Sequence, residues 1–430
     1  MKKLLTVLLA CLLLMAALPA MADNVRTSGP YTYEIKGNGT ITITDFDWSQ
    51  NEGDIFIPNM IDGYTVTAIG DEAINRRPSS KERISITLPG SITSIGDFAF
   101  SYNNLGSINI PESLISVGKG AFMCNVNCQF VISPNHENFA VIENALYNKS
   151  KKELVACNYS TYNYIIPEGI LSIAPYAMYQ KGGGGVNLPS TLKSIGDYAC
   201  YGMNIYVHPS SGFFPEGLES IGESAFMTTK FSSFGLYIPD SLKTLGKAAF
   251  CGVCHENSNQ ELHIYFGADS LIHHIPDEAF KMADVTVHHK GKINSIGVSA
   301  FEGHYANINV DSFDNITFIG EKAFLRNPWL TDKEKCNTIM QSLSPEFTVI
   351  PKHFCVRGRL PDTVEVISSQ AFPYQVKDFY LPASVEDIAT DAFLKGSTFV
   401  VEAGSYAEFW CSENGFGYTL EGQDALDWLN

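Results

Sequence analysis

The 430-residue chain is 45% hydrophobic and 12% aromatic and carries a net charge of −17, the balance of a folded protein rather than a disordered one. Such acidity argues against nucleic acid and anionic lipid as partners, because both attract basic surfaces. Length alone would suggest roughly two or three domains, but internal repetition overrules that count.

Residues 1–22 read as a secretory signal. Lys2 and Lys3 precede an apolar run from Leu4 to Leu18, and Ala20, Met21 and Ala22 form a small-x-small cleavage site. A lipid-anchored reading, from Leu8, Leu9, Ala10 and Cys11, is the rival, but the run continues apolar through Met15. Cleavage leaves Asp23 first and, with Lys2 and Lys3 gone, takes the charge to −19. No later stretch reaches the ~18 to 20 apolar residues of a membrane span. Residues 23–53 are expected to form an N-terminal β cap, since Tyr31 to Phe46 alternates around the turn signal Lys36, Gly37, Asn38 and Gly39.

From residue 54 to 396 a repeat dominates. Ile86, Leu88, Pro89, Ile92, Ile95, Gly96, Ala99 and Phe100 recur in step as Ile108, Ile110, Pro111, Leu114, Val117, Gly118, Ala121 and Phe122. The frame returns over 186–200, 213–226 and 236–250. Degenerate copies end at Ala73-Ile74, Ala177-Met178, Ala279-Phe280, Ala300-Phe301, Ala323-Phe324, His353-Phe354, Ala371-Phe372 and Ala392-Phe393. The apolar-x-apolar triplet is a strand with one buried face, and the proline ends it because it has no N–H to extend a ladder. The Ile-Gly pair and the final Ala-Phe bring the chain back, with Gly permitting a turn and Ala-Phe filling the core. One turn cannot bury its own apolar face, so stacked turns must share a continuous core.

Two pieces depart from the frame. Residues 325–346 read as an insertion, with a helix opening at Thr331 and Glu334 and continuing through Cys336, Ile339, Met340 and Leu343. Residues 397–430 form a C-terminal cap and tail.

The frame Ile/Leu-x-Ile/Leu-Pro-x-x-Leu-x-x-Ile-Gly-x-x-Ala-Phe resembles the BspA-like leucine-rich-repeat family over roughly residues 54–394. Residues 135–156 look like its hairpin variant of the repeat, and 405–415 like its terminal helix. The resemblance implies a mostly β solenoid, a right-handed coil of short parallel strands with an N-terminal hairpin cap and a C-terminal helical cap. It also implies a secreted or cell-surface bacterial protein that adheres to host or neighbouring-cell macromolecules. The partner expected is an extracellular protein or glycan, bound by a monomer.

No catalytic motif and no cofactor fingerprint survives inspection. The nine cysteines left after cleavage, Cys124, Cys128, Cys157, Cys200, Cys251, Cys254, Cys336, Cys355 and Cys411, are odd in number and scattered, a poor disulfide framework. Cys124, Cys200 and Cys251 fall in or beside Ala-Phe positions, where a small buried apolar residue is expected. Cys251 and Cys254 have redox spacing without the surrounding strand and helix of a redox motif. The pairs His273-His274 and His288-His289 are read as solvated rather than metal-binding. The informative feature is a column. The middle residue of each strand triplet should point outward, giving Thr87, Asn109, Asn187, Tyr206, Tyr237, Tyr265, Thr286, Asn309 and Tyr380. With strands ~4.8 Å apart, Tyr206, Tyr237 and Tyr265 form an aromatic ladder flanked by His263 and His288 if their turns stack in sequence; the alternative is that tyrosine simply favours exposed strands. Tyrosine offers rigid contact area with a hydrogen-bonding tip, suited to recognising protein or sugar.

Overall fold

The computed structural model describes residues 24–50, 53–75, 82–157, 163–180, 185–207, 213–257, 260–303, 306–310, 315–325, 343–352, 354, 359–372 and 374–422. The expected signal and most of the expected insertion with its helix lie outside the described residues. The fold is a mostly β solenoid of about 15 turns, and the chain divides into two compact units between Asn138 and Phe139.

The first unit opens with an antiparallel meander, Val25–Ser28, Tyr31–Ile35 and Thr40–Phe46. Its last strand then pairs in parallel with Tyr64–Ile69, so the hairpin covers the first repeat. The repeat strands Ile55–Phe56, Ile84–Thr87, Leu105–Ile110 and Gln129–Ile132 stack in parallel. Alternate residues such as Ile84, Ile86, Ile108 and Ile110 are buried, as period-two patterning requires.

The second unit starts with an antiparallel trio, Phe139–Ile142, Ala145–Asn148 and Glu153–Cys157, at the hairpin variant. The frame then resumes, and four parallel strands, Gly235–Ile238, Leu262–Phe266, Val285–His289 and Ala306–Val310, make one strand-bearing face. Among the described residues there is one α-helix, Tyr406–Asn414. Ser405 caps it by accepting from the Glu408 amide, and Gly415, left-handed at φ 70°, ends it. Its Ala407, Trp410 and Cys411 close the apolar end of the unit.

Each frame position can now be given its physical role. The phenylalanines form a spine: Phe226, Phe250, Phe280, Phe301 and Phe324 stack ring on ring at 5.4 to 5.8 Å, and Phe100 and Phe122 stack likewise in the first unit. The glycine of Ile-Gly opens the turn, its carbonyl accepting from the Ala of Ala-Phe at Gly118, Gly246 and Gly297, but it is not the left-handed residue of that turn. Gly96, Gly118, Gly222, Gly246 and Gly297 are absent from the left-handed residues. Instead each donates its N–H to the isoleucine carbonyl of the turn before. A Cβ on Gly246 would lie 2.3 Å from the Gly222 carbonyl carbon, so only glycine allows this approach.

The left-handed bend sits two residues further on, just before the Ala of Ala-Phe. Glu72, Phe98, Tyr176, Tyr198, Ser224, Ala248, Glu278, Ser299 and Lys322 all have φ between 51° and 61° there. Such residues cost about 1 kcal/mol each relative to glycine. They are held by amide bonds to the next turn, as Tyr176 N–H donates to the Asp197 carbonyl and Glu278 N–H to the Val298 carbonyl.

Candidate functional site

The strand face of the second unit brings together part of the expected column. Register pairs Tyr237 with Tyr265, Tyr265 with His288 and His288 with Asn309. The Tyr237 and Tyr265 rings stack at 4.9 Å and 14°, and Tyr265 and His288 stack at 4.7 Å and 11°. Parallel strands explain the spacing, because in-register side chains repeat at the strand separation. Tyr237 is 63% exposed, Tyr265 and His288 are half-buried, and Asn309 is exposed.

His263 lies one residue pair over. Its Nδ1 is 3.1 Å from Nε2 of His288, so one of the two rings must donate to the other. Burial holds the His288 pKa below its ordinary value of 6.5; His263 adds to this and Glu261 opposes it. Burial also raises the Tyr265 hydroxyl. Both shifts favour the neutral forms of His288 and Tyr265.

Three expected members are placed elsewhere. Thr286 pairs with His263 rather than Tyr265, is only 7% exposed, and donates its hydroxyl to Glu261. The outward residue of that turn is His288, which like Tyr237 and Asn187 stands eight residues before its Ile-Gly or Leu-Gly pair. Tyr206 is exposed but follows a strand, Asn204–Ile205, that pairs with Lys230–Phe231 in a separate three-stranded sheet, so it does not join the ladder. It lacks the proline two residues on that Thr87, Asn109, Asn187, Tyr237 and Tyr380 share. Tyr380 keeps the frame position but is 9% exposed. Its ring is covered by the Arg359 guanidinium at 4.1 Å, and its hydroxyl lies 3.0 Å from carboxylate oxygens of both Glu402 and Glu421.

Beside the ladder lies a groove of about 290 Å³, lined by Phe214, Glu216, Tyr237, Asp240, Tyr265, His288 and Lys290 among others. On the return side of the same unit, Tyr176 stacks on Tyr198 at 5.0 Å and Tyr179 on Tyr201 at 4.6 Å. The sequence analysis missed this four-tyrosine array. Its signal is a tyrosine on each side of the Ala-Met and Ala-Cys pairs in two successive turns.

The histidine pairs differ in kind. His289 is buried, with its ring nitrogens against the Ile272 and Gly291 carbonyls, whereas His273 and His274 are exposed. Among the described residues no group of three or more His, Cys, Asp or Glu side chains could hold a metal ion, and no helix is long and apolar enough to cross a membrane. No disulfide joins any two of the seven described cysteines, and Cys128, Cys157, Cys200, Cys251 and Cys411 are buried. Cys124 is half-buried, not the buried residue expected, and Cys336 and Cys355 lie outside the described residues. Burial raises the pKa of Cys251 and of Cys254, opposite to the lowering that a redox pair uses.

A model of the BspA type leucine rich repeat region matches the chain in six copies, over residues 46–161, 156–251 and 210–331. No curated protein matches it. Solved structures of similar fold include a leucine rich cell surface protein from Faecalibacterium prausnitzii, 17% identical, covering 90% of this chain and 96% of its own, with a TM-score of 0.41. A leucine-rich repeat protein from Bacteroides ovatus is 17% identical, with 92% and 99% covered and a TM-score of 0.32. The pneumococcal vaccine antigen PcpA is 15% identical, with 93% and 99% covered and a TM-score of 0.32.

Proposed function

Because the chain belongs to the BspA-type leucine-rich-repeat family, we propose that it is a secreted, surface-associated recognition protein that binds an extracellular protein through the strand face of its second unit. The observation that carries this reading is the stacked ladder Tyr237, Tyr265 and His288. Stacking fixes these rings before any partner arrives, so little side-chain entropy is lost on binding, and aromatic residues of this kind dominate interface energetics. Among the described residues, thiols that burial keeps protonated and scattered carboxylates offer no nucleophile-and-base pair, which supports a binding role over a catalytic one.

A second reading is a carbohydrate-binding or enzyme-accessory module, favoured by the exposed ring of Tyr237, since sugars also stack on open aromatic faces. A glycan array run beside a pull-down from extracellular matrix separates the two. Protein capture with a blank array supports the first; a discrete glycan hit that blocks capture overturns it. We also propose that residues 54–396 unfold as one repeat array. A single calorimetric transition is expected, and two transitions separating 24–138 from 139–422 would divide it.

A further inference from the structure

The chain contains a filled version of the groove beside its ladder. Tyr380 and Tyr237 hold the same frame position, two residues before Pro382 and Pro239 and eight before Ile388 and Leu245. Over Tyr380, the turn before supplies Arg359, which bridges directly to it. The Arg359 guanidinium lies 4.1 Å from the ring centre and donates to Asp362 Oδ1 at 2.6 Å. Asp362 stands three residues after Arg359, just past Pro361. The tyrosine thus supports the flat cation, and the carboxylate fixes its plane.

Over Tyr237 the turn before has the same frame: Phe213, Phe214, Pro215 and Glu216. Glu216 therefore occupies the place of Asp362. That the turns are neighbours follows from the Lys243 amide donating to the Glu219 carbonyl. Where Arg359 would stand there is Phe213, buried in the core against Phe226 and Phe231. Tyr237 belongs to the end strand of its sheet. One ring face is covered by Tyr265, yet the residue remains 63% exposed, so its other face is open to the groove. Glu216 and Asp240 set two carboxylates in the lining against the one ammonium of Lys290.

We propose that this groove binds an arginine side chain of the partner, stacked on the open face of Tyr237 and paired with Glu216 and Asp240, as Arg359 is stacked on Tyr380 and paired with Asp362. The proposal rests on the strand-face reading above and names the chemistry of the partner there. A guanidinium fits better than an ammonium because it is flat enough to stack and presents donors in the plane of the carboxylates. A neutral sugar would stack on the same ring and donate hydroxyls to the carboxylates, but it carries no positive charge to offset the two anions.

The test is titration of the full mature chain with fluorescent hexa-arginine, with hexa-lysine and cellohexaose as the other arms. Hexa-arginine is expected to bind several-fold more tightly than hexa-lysine, and cellohexaose not to compete. Tyr237→Ala and Glu216→Gln should each weaken hexa-arginine about tenfold, the size of one stacked or charge-assisted contact. Tyr237→Phe should retain binding. Glu112→Gln, which removes an exposed carboxylate from the first unit, should have no effect, separating the groove from general attraction to an acidic protein. All three positions are exposed, so unchanged circular dichroism is expected for all four variants. Equal hexa-arginine affinity for wild type, Tyr237→Ala and Glu216→Gln would overturn the proposal, as would displacement by cellohexaose. The strand-face reading fails separately: if Tyr237→Ala loses hexa-arginine yet captures matrix protein as wild type does, the arginine site stands and its role in recognition falls.

Discussion

The two units carry the same column on their strand faces and use it differently. In the first, the in-register outward residues are Phe56, Thr87, Asn109 and Val131. In the second they are Tyr237, Tyr265, His288 and Asn309. Asn109 turns back onto its own scaffold, accepting from the Leu88 amide at 2.6 Å and donating to the Leu88 carbonyl at 2.9 Å. This satisfies backbone groups where Pro89 ends the strand. Its amide is thereby committed to the fold. Among the described residues the aromatic column makes no such bond to backbone, and its rings brace one another instead. The frame decides where a side chain points, and the residue placed there decides whether it serves the fold or faces a partner.

The sharpest test of a shared scaffold is the phenylalanine spine. Phe280→Ala and Phe100→Ala should each lose about 3 to 5 kcal/mol, since both are fully buried in stacked columns. Chemical denaturation checks this, and a marked difference between the units would break the claim of a common core. Next in size is the glycine column. Gly246→Ala and Gly118→Ala should each cost about 1 to 3 kcal/mol through overpacking, whereas Gly90→Ala, with nothing within 4 Å of its Cβ, should be nearly neutral. If all three behave alike in thermal melts, close approach is not why glycine is there.

Much of the fold was legible in the sequence because strand, proline and Ala-Phe each leave a residue-type signature. The frame set the parallel stacking, the alternation around Gly37 and Gly39 set the hairpin cap over Tyr31 to Phe46, and the family resemblance implied the variant near residue 139 and the terminal helix. The left-handed bend was not legible: Glu72, Tyr176, Ala248 and Lys322 occupy it without any common chemistry, since inter-turn hydrogen bonds rather than side-chain identity hold it. The role of Ile-Gly was read only in part for a related reason, as glycine signals both turns and close approach. In the site, the direction of Tyr237 and Tyr265 could be read from the frame. Thr286 and Tyr206 were misplaced because the triplet was matched by hydrophobicity alone, which neither chooses between positions two residues apart on one strand nor shows which sheet a strand joins. The covering of Tyr380 by Arg359 comes from a neighbouring turn, which no single repeat reveals.

A smaller effect separates the units by pH, since the first unit's column has no histidine. In the second, burial foremost lowers the pKa of His288 and of His289. His288 faces His263, Tyr265 and Glu261; His289 packs on Phe266 and lies near His273. The folded state thus holds both neutral while the unfolded chain takes up protons near 6.5. Their contribution to stability is full above that pH and is lost as pH falls through the window just below it. The unfolding midpoint should drop between about pH 7 and 5, and His288→Asn with His289→Gln should flatten the drop. A wild-type midpoint that stays level over this range would remove the effect.

The most direct measurement compares wild type with the triple variant Tyr237→Ala, Tyr265→Ala, His288→Ala for binding to immobilised extracellular-matrix protein. Thr87→Ala with Asn309→Ala serves as the control from the same column. The account predicts that the triple variant, still folded by circular dichroism, loses at least about 2 kcal/mol of binding, roughly thirtyfold, while the control binds as wild type does. A folded triple variant with wild-type affinity would contradict it.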